Sequence, residues 1–527
     1  MFSFAKVARR IPAVFPIVKC QNQPVSRLLL KRNRATNSLM RTLFWSLFAA
    51  LTVALPLQAE DYMARIFTNH AGQTIPYRLL VPMNYDATKK YPLVLFFHGA
   101  GERGSDNAAQ LKHGTNLFTK PENRAQFPCF VLAPQCPHGQ QWVNMPWGND
   151  SGTRPPQPSA AMQLALEALD AVQKEFSVDP QRLYVTGLSM GGYATWDCIT
   201  RFPDRFAAAA PICGGGDEKT VTPAVAKVPV WAFHSFDDNV VKVKRTRQMI
   251  TAMRAAGGSP KYFEYFGLGH NSWDKAYSEP ELLPWMFAQR LGEPDTYTLN
   301  TKSPELPAVV QFPDLSAFPG KGPLRAMDWF RNLWCERRGQ FWLARERDRG
   351  AVVFLGDSIT QGWGKQLEKE FPHLKTANRG ISGDLTRGVL YRLKEDVLDL
   401  DPKAVVLLIG TNDLEENADP STVADNIRLI LDACHARHPQ MPTIVCKVMP
   451  SHASKNRPAD KIRQLNTLIE TMVKTTPRCL LCDTYSIFAD ADGNAKPEEF
   501  PDRLHPNAAG YAKFAAALRP LLDELKP

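Results

Sequence analysis

The sequence predicts an α/β protein made of two three-layer α/β/α domains, and three observations carry that reading. A chain of 527 residues is long for one core and comfortable for two. Two separate series of short apolar runs alternate with amphipathic helical stretches, the pattern of a parallel sheet covered on both faces. Between the two series, residues 296–323 have little periodicity and carry Pro304, Pro307, Pro313, Pro319 and Pro323, which reads as a semi-extended linker, with Val309, Val310 and Phe312 able to pack on either domain.

Residues 1–59 read as a leader. They hold nine basic side chains and no acid, so nearly all of the net charge of +10 belongs to them and residues 60–527 carry about +1. That distribution removes the electrostatic case for a nucleic-acid partner. Met40-Arg41, the apolar stretch Leu43 to Leu57 and Ala59 before Glu60 fit a secretory signal, with Met40 as the true start; an uncleaved anchor and an organellar transit peptide are the competing readings. The expected location is therefore periplasmic or extracellular, with membrane contact only through the leader if it stays uncleaved.

The first domain is expected over 60–295. Leu93–Phe97, Leu183–Thr186 and Pro229–Phe233 read as buried strands, and Ala161–Phe176, with Leu164, Leu166, Leu169 and Val172, as an amphipathic helix. The second is expected over 324–527. A charge-rich helical stretch, Leu324–Arg349, precedes strands at Ala351–Leu355, Ala404–Ile409 and Thr443–Val448, with helices at Val423–His435 and Asp460–Lys474. Ten cysteines are present, one of them in the leader. Export would allow disulfides, with Cys129–Cys136 and Cys198–Cys213 as the nearest candidate pairs. Cys479 and Cys482 lie on one short strand, where they face opposite sides and read as buried structural thiols rather than half a zinc site.

Gly187-Leu-Ser189-Met-Gly191 lies between a strand and a helix, the setting of a nucleophile elbow. A serine hydroxyl is a poor nucleophile at neutral pH and needs a base and an orienting acid. Both follow in order: Asp237 or Asp238 after the strand ending at His234, then His270 on a glycine-flexed loop. The oxyanion donors are expected from the Met190 N–H and from the loop His98-Gly-Ala100-Gly101, through Ala100. His98 reads as structural, and His113, His138 and His234 as structural or surface residues with no partner set.

A second nucleophile stands at Gly356-Asp357-Ser358, after a buried strand. Asp502-x-x-His505 supplies an acid–base pair, and Gly383 and Asn412 are placed to hold an oxyanion together with the Ser358 N–H. Asp357 and Asp384 read as loop-structuring carboxylates, and His373, His435, His438 and His452 as surface residues; Trp363 reads equally as pocket lining or packing. Each nucleophile has its own base, so no cofactor and no metal is expected.

These motifs carry two resemblances. Phe97-His-Gly-Ala-Gly-Glu-Arg-Gly104, Gly187-Leu-Ser-Met-Gly-Gly-Tyr193 and Gly269-His-Asn-Ser-Trp273 resemble secreted esterases of the feruloyl-esterase and poly(hydroxyalkanoate)-depolymerase group, whose bacterial members are often labelled predicted peptidases. That resemblance implies an α/β-hydrolase fold over roughly 62–295. It also implies Asp238 as the acid, because the group's loop runs His-Gly-x-x-Asp-x-Val-Val; Ser235 replaces its usual glycine. The second set, with Asn378-Arg-Gly-Ile-Ser-Gly383 and Gly410-Thr-Asn412-Asp, is similar to the GDSL or SGNH hydrolases, which implies a flavodoxin-like fold. Within them, residues 348–413 look most like the platelet-activating-factor acetylhydrolase α-subunit branch, which shares its motifs with acetylxylan-type esterases.

Together these readings imply an exported bifunctional serine carboxylic-ester hydrolase acting on acylated polysaccharide, one site for feruloyl-type and one for acetyl esters. Lipid or lysophospholipid deacylation at Ser358 is the alternative substrate. A non-catalytic carbohydrate-binding role for one domain, and peptidase action, are the other classes left open.

Overall fold

The computed structural model describes residues 61–524, and the expected leader lies outside them. The first sheet has eight strands: β1 (Tyr62–Thr68), β2 (Thr74–Leu80), β3 (Tyr91–Phe97), β4 (Phe130–Pro134), β5 (Val178–Leu188), β6 (Ala208–Ile212), β7 (Trp231–Ser235) and β8 (Lys261–Tyr265). Their order is β1-β2-β4-β3-β5-β6-β7-β8. From β4 to β8 all neighbours are parallel, whereas β1 pairs β2, and β2 pairs β4, antiparallel. The expected parallel sheet is thus extended by an antiparallel edge. Along β1 only Tyr62 is buried, so its residues lack the continuous apolar run of the interior strands.

Helix α1 (Ala160–Glu175) covers one face of this sheet through Leu164, Leu166, Leu169 and Val172, all buried, and Ser159 caps its N-terminus by accepting from the Met162 N–H. Helix α2 (Met190–Arg201) is buried along almost all its length, and α3 (Lys244–Ala255) lays Met249, Ile250 and Met253 into the core.

The second sheet is five-stranded and wholly parallel: β9 (Val352–Gly356), β10 (Thr376–Gly380), β11 (Ala404–Leu408), β12 (Thr443–Cys446) and β13 (Cys479–Cys482), in the order β10-β9-β11-β12-β13. Two core clusters, one on each face, sandwich it between layers of helix. Cys479 packs into one cluster and Cys482 into the other, as the two-residue period of a strand requires. All nine described cysteines are free, including the Cys129–Cys136 and Cys198–Cys213 candidates.

The segment expected to be a linker is in contact with both sheets' domains. Tyr297 and Leu299 pack against the first core. Phe312 and Phe318 stack around Trp334, and Arg387 donates to the carbonyl oxygens of Phe318, Pro319 and Gly322. Helix α4 (Asp328–Asp348) follows, starting four residues later than the sequence pattern suggests. It buries Phe330, Trp334, Arg338 and Phe341. Its Gly339 lies so close to the first domain that a Cβ there would stand 2.6 Å from the Phe236 ring, and Leu343 reaches Gly267.

Candidate active sites

The first site is built where β5 stops. Ser189 takes φ 56° and ψ −116° before α2 begins, a strained conformation for a residue with a Cβ. The turn is possible because Gly187 and Gly191 flank it: a Cβ on Gly191 would collide with the Phe97 carbonyl oxygen, and one on Gly187 would stand 2.5 Å from the Gly191 oxygen. Asp238 follows β7 and His270 follows β8, so adjacent strands deliver the partners. His270 Nε2 lies 3.0 Å from Ser189 Oγ and its Nδ1 lies 2.7 Å from Asp238 Oδ2. Asp237 has a separate job. It accepts from the Gly267 and Gly269 N–H groups and from Ser235 Oγ, tying the histidine loop to the acid loop.

The expected oxyanion donors converge on the same corner. Met190 is the first residue of α2, where its N–H has no partner within the helix. Gly99, the residue before Ala100, packs against Leu188 and Ser189.

The second site repeats the chemistry on another frame. Ser358 opens the short helix α5 (Ser358–Gln361) after β9, and Asp357 caps it by accepting from the Ile359 N–H. His505 Nε2 lies 2.9 Å from Ser358 Oγ, and Nδ1 lies 2.7 Å from Asp502 Oδ2. Gly383, at φ 84°, is held to the Ser358 side by the Ser382 N–H and Oγ donating to Gln361 Oε1. Asn412 lies in the short helix Thr411–Glu415 that follows β11 and donates from Nδ2 to the Asp384 oxygen. Each arrangement can carry serine chemistry, in which the histidine would take the serine proton as Oγ attacks a carbonyl carbon, the carboxylate would steady the imidazolium, and the backbone and amide N–H groups would receive the oxyanion.

Comparison with known proteins matches this division. Residues 354–513 match the GDSL-like Lipase/Acylhydrolase family, and residues 153–278 the Dienelactone hydrolase family. The chain is 32% identical over 195 residues to platelet-activating factor acetylhydrolase IB subunit alpha2 of Homo sapiens, and equally to that of Bos taurus, over 36% of this chain and 84% of each relative. The chain belongs to the GDSL-like acylhydrolase family. Its α/β-hydrolase domain is similar to a solved thermostable esterase, at 40% identity over 44% of this chain with a TM-score of 0.41; the match spans 63% of that structure, less than two thirds of it. A GDSL-like lipase from Bacteroides thetaiotaomicron is 26% identical over 34% of this chain and 91% of its own, with a TM-score of 0.31. The GDSL acylhydrolase is thus a serine hydrolase of carboxylic esters with a second esterase domain of the dienelactone hydrolase type.

The two acids of this GDSL protein sit in different surroundings. Asp238 is fully buried, and burial works against its charge. The hydrogen bonds from His234 and His270 outweigh that and hold the carboxyl well below its usual range. Asp502 has a side chain 47% exposed, and His505 one 43% exposed. Its slight burial is overcome by the hydrogen bonds from the His505 backbone and ring and from the Leu504 N–H, which hold it at about 2.

His234 corrects the sequence reading, which gave it no partner. Its Nε2 lies 3.1 Å from Asp238 Oδ2 and 2.9 Å from the Val241 oxygen, and its Nδ1 lies 2.7 Å from Thr246 Oγ1. Thr246 gives its own proton to the Gly214 oxygen, so Nδ1 donates to the threonine, and Nε2 faces two acceptors and donates as well. His234 is therefore a buried clamp on the acid. The proximity of Cys213 to Asp238 and His270 does not make a metal site: burial pushes the thiol far up, and both His270 nitrogens are already engaged.

The second site also depends on residues that no motif marks. Arg457 Nη2 donates to Asn412 Oδ1 (2.9 Å), which fixes the amide with Nδ2 toward the Asp384 oxygen. Arg325 donates to the Gly383 oxygen (3.1 Å), and Glu415 joins the two arginines. Arg392 holds Asp384 and the Gly356 oxygen. Burial raises Asp384, raises Asp413 to about 6 and raises Asp357 to about 7; these carboxyls hold Arg392, Thr386 and the Ile359 N–H respectively, whereas His505 meets Asp502. Trp363 is fully buried against Tyr511 and Phe514 and packs rather than lining the site.

His98 gives a stability prediction. Its Nδ1–H donates to the Gly99 oxygen and its Nε2 accepts from the Cys136 N–H, so the ring is neutral; burial lowers it from 6.5 to about 4. A histidine held below its unfolded value binds fewer protons folded than unfolded between those pH values. Its contribution is present above pH 6.5 and is lost as pH falls through about 4, a change of about 3 kcal/mol. Thermal unfolding from pH 7 to 4 should show the first domain losing stability over that window, and His98→Gln should flatten the loss.

Proposed function

We propose that the protein is an exported two-site carbohydrate esterase that removes feruloyl-type esters at Ser189 and acetyl esters at Ser358. The observation that carries this reading is the presence of two complete serine–histidine–aspartate sets in one chain, one enclosed and one open. Two different nucleophile frames are useful on a substrate that carries more than one kind of ester. The exposed Asp502–His505 pair leaves room for a bulky alcohol side, as an acylated glycan presents. The word acetylhydrolase in the name of the human and bovine relatives supports a short acyl group at Ser358. Export rests on the leader sequence, Met40 to Ala59.

The test is release of ferulate and acetate from feruloylated, acetylated arabinoxylan by the chain beginning at Glu60. Release of both is expected, and release of neither removes the proposal. The 32% identity to platelet-activating factor acetylhydrolases favours a second reading, hydrolysis of a short acyl ester on a lysophospholipid by Ser358. Acetate release from such a lipid, with none from the glycan, would select it.

A further inference from the structure

Helix α4 touches both sites, and from one face. At its N-terminal end, a Cβ on Gly383, the expected oxyanion donor, would lie 2.7 Å from Trp329 Cη2. Trp329 is 50% exposed, with its Nε1 donating to Met327 Sδ and its ring against Phe330. At the other end, Leu343 lies against Gly267, three residues before His270, and is 45% exposed. With 3.6 residues per turn, Trp329, Glu336, Gln340 and Leu343 fall on one side of the helix, opposite Trp334, Arg338 and Phe341, which are buried. All four of the first group are exposed. Fourteen residues at 1.5 Å each put about 21 Å between Trp329 and Leu343.

We infer that this face of α4 is a binding track for a single glycan chain that reaches both catalytic serines, with Trp329 as the stacking platform at the Ser358 end. The inference rests on the proposed carbohydrate substrate and goes further, since it assigns the two sites to one polymer and names the residues that read it. The chemistry of the face selects the occupant. An indole half open to solvent offers a flat apolar surface to the C–H face of a sugar ring. Between the two apolar ends stand Glu336 and Gln340, whose polar groups suit hydroxyls; an alkyl chain would need a continuous apolar lining there. Trp329 thus acts as a specificity-determining residue for polymer over small ester.

The test is a comparison of KM on feruloylated arabinoxylan with KM on methyl ferulate, both read as ferulate release and therefore at Ser189, the site distant from Trp329. Trp329→Ala should raise the ratio of the two KM values about three- to tenfold, with kcat on the polymer kept and Trp329→Phe restoring most of the ratio. Gln340→Leu, an exposed mid-track change that does not endanger folding, should raise it about twofold or more. An unchanged ratio in both variants overturns the track, even if acetate release at Ser358 is lowered, because Trp329 would then serve only its own site. A wild-type chain that releases neither acid from arabinoxylan overturns the carbohydrate reading itself, which separates the two failures.

Discussion

Ser189→Ala is expected to lower ferulate release by about 10⁴–10⁶-fold in kcat and to leave acetate release within about twofold, and Ser358→Ala is expected to do the reverse. The size of the effect follows from covalent chemistry: without Oγ neither histidine has a nucleophile to deprotonate, and what survives is binding and the oxyanion donors. The separation follows from the frames. Ser189 belongs to an eight-stranded mixed sheet with partners from β7 and β8, and Ser358 to a five-stranded parallel sheet with partners beyond β13. No catalytic side chain is shared. Assays of both single variants and the double variant on feruloylated and acetylated arabinoxylan check this. Loss of both activities in one single variant would mean that one serine serves both esters.

Asp238→Asn should cost about 10⁴-fold in kcat and some stability as well, because the buried His234 Nε2–H loses its acceptor at Oδ2. The Val240 and Val241 N–H groups both point at Oδ1, so that position stays oxygen and the amide nitrogen takes the place of Oδ2. It then offers hydrogens to His270 Nδ1, which must turn from donor to acceptor. The imidazole proton moves to Nε2, facing Ser189, and the base can no longer accept. The same substitution at Asp502 meets the same logic, since the Leu504 and His505 N–H groups fill its Oδ1. The loss there should be roughly tenfold smaller, because water reaches this half-exposed pair and can solvate the imidazolium that has lost its carboxylate. Single-turnover rates of the two variants make the comparison. Equal losses would show that exposure plays no part in how these acids work.

Both triads could be read from the chain because each member sits in a short local pattern: an elbow, a loop after a strand, an Asp-x-x-His turn. The choice between Asp237 and Asp238 needed the resemblance, and the geometry gives each a different task. What the chain did not disclose depends on distance. Arg325 and Arg457 lie 58 residues before and 45 residues after the oxyanion residues they orient, with no motif to connect them. His234 looked idle because its partners come from a turn and a helix that periodicity does not place. The antiparallel edge formed by β1 and β2 was hidden because β1 is mostly exposed and because Pro76 and Arg78 break the apolar run of the buried β2. The Pro-rich stretch reads as a break in pattern, and its apolar residues were the sign of packing: Phe312 stacks on Trp334, as does Phe318.

The contact between Gly339 and the Phe236 ring bears on how such a protein can be rebuilt. A chimera that grafts the GDSL half onto a different esterase, or a truncation ending before Asp328, strips the surface on which the Ser235–Asp238 loop rests. The bare ring of Phe236 would meet solvent two residues from the catalytic carboxylate. Swapping parts between such enzymes therefore calls for a cut between Leu299 and Phe312, so that Arg325 and α4 stay with the GDSL half they pack on, and a new cover for Phe236 on the half that loses them.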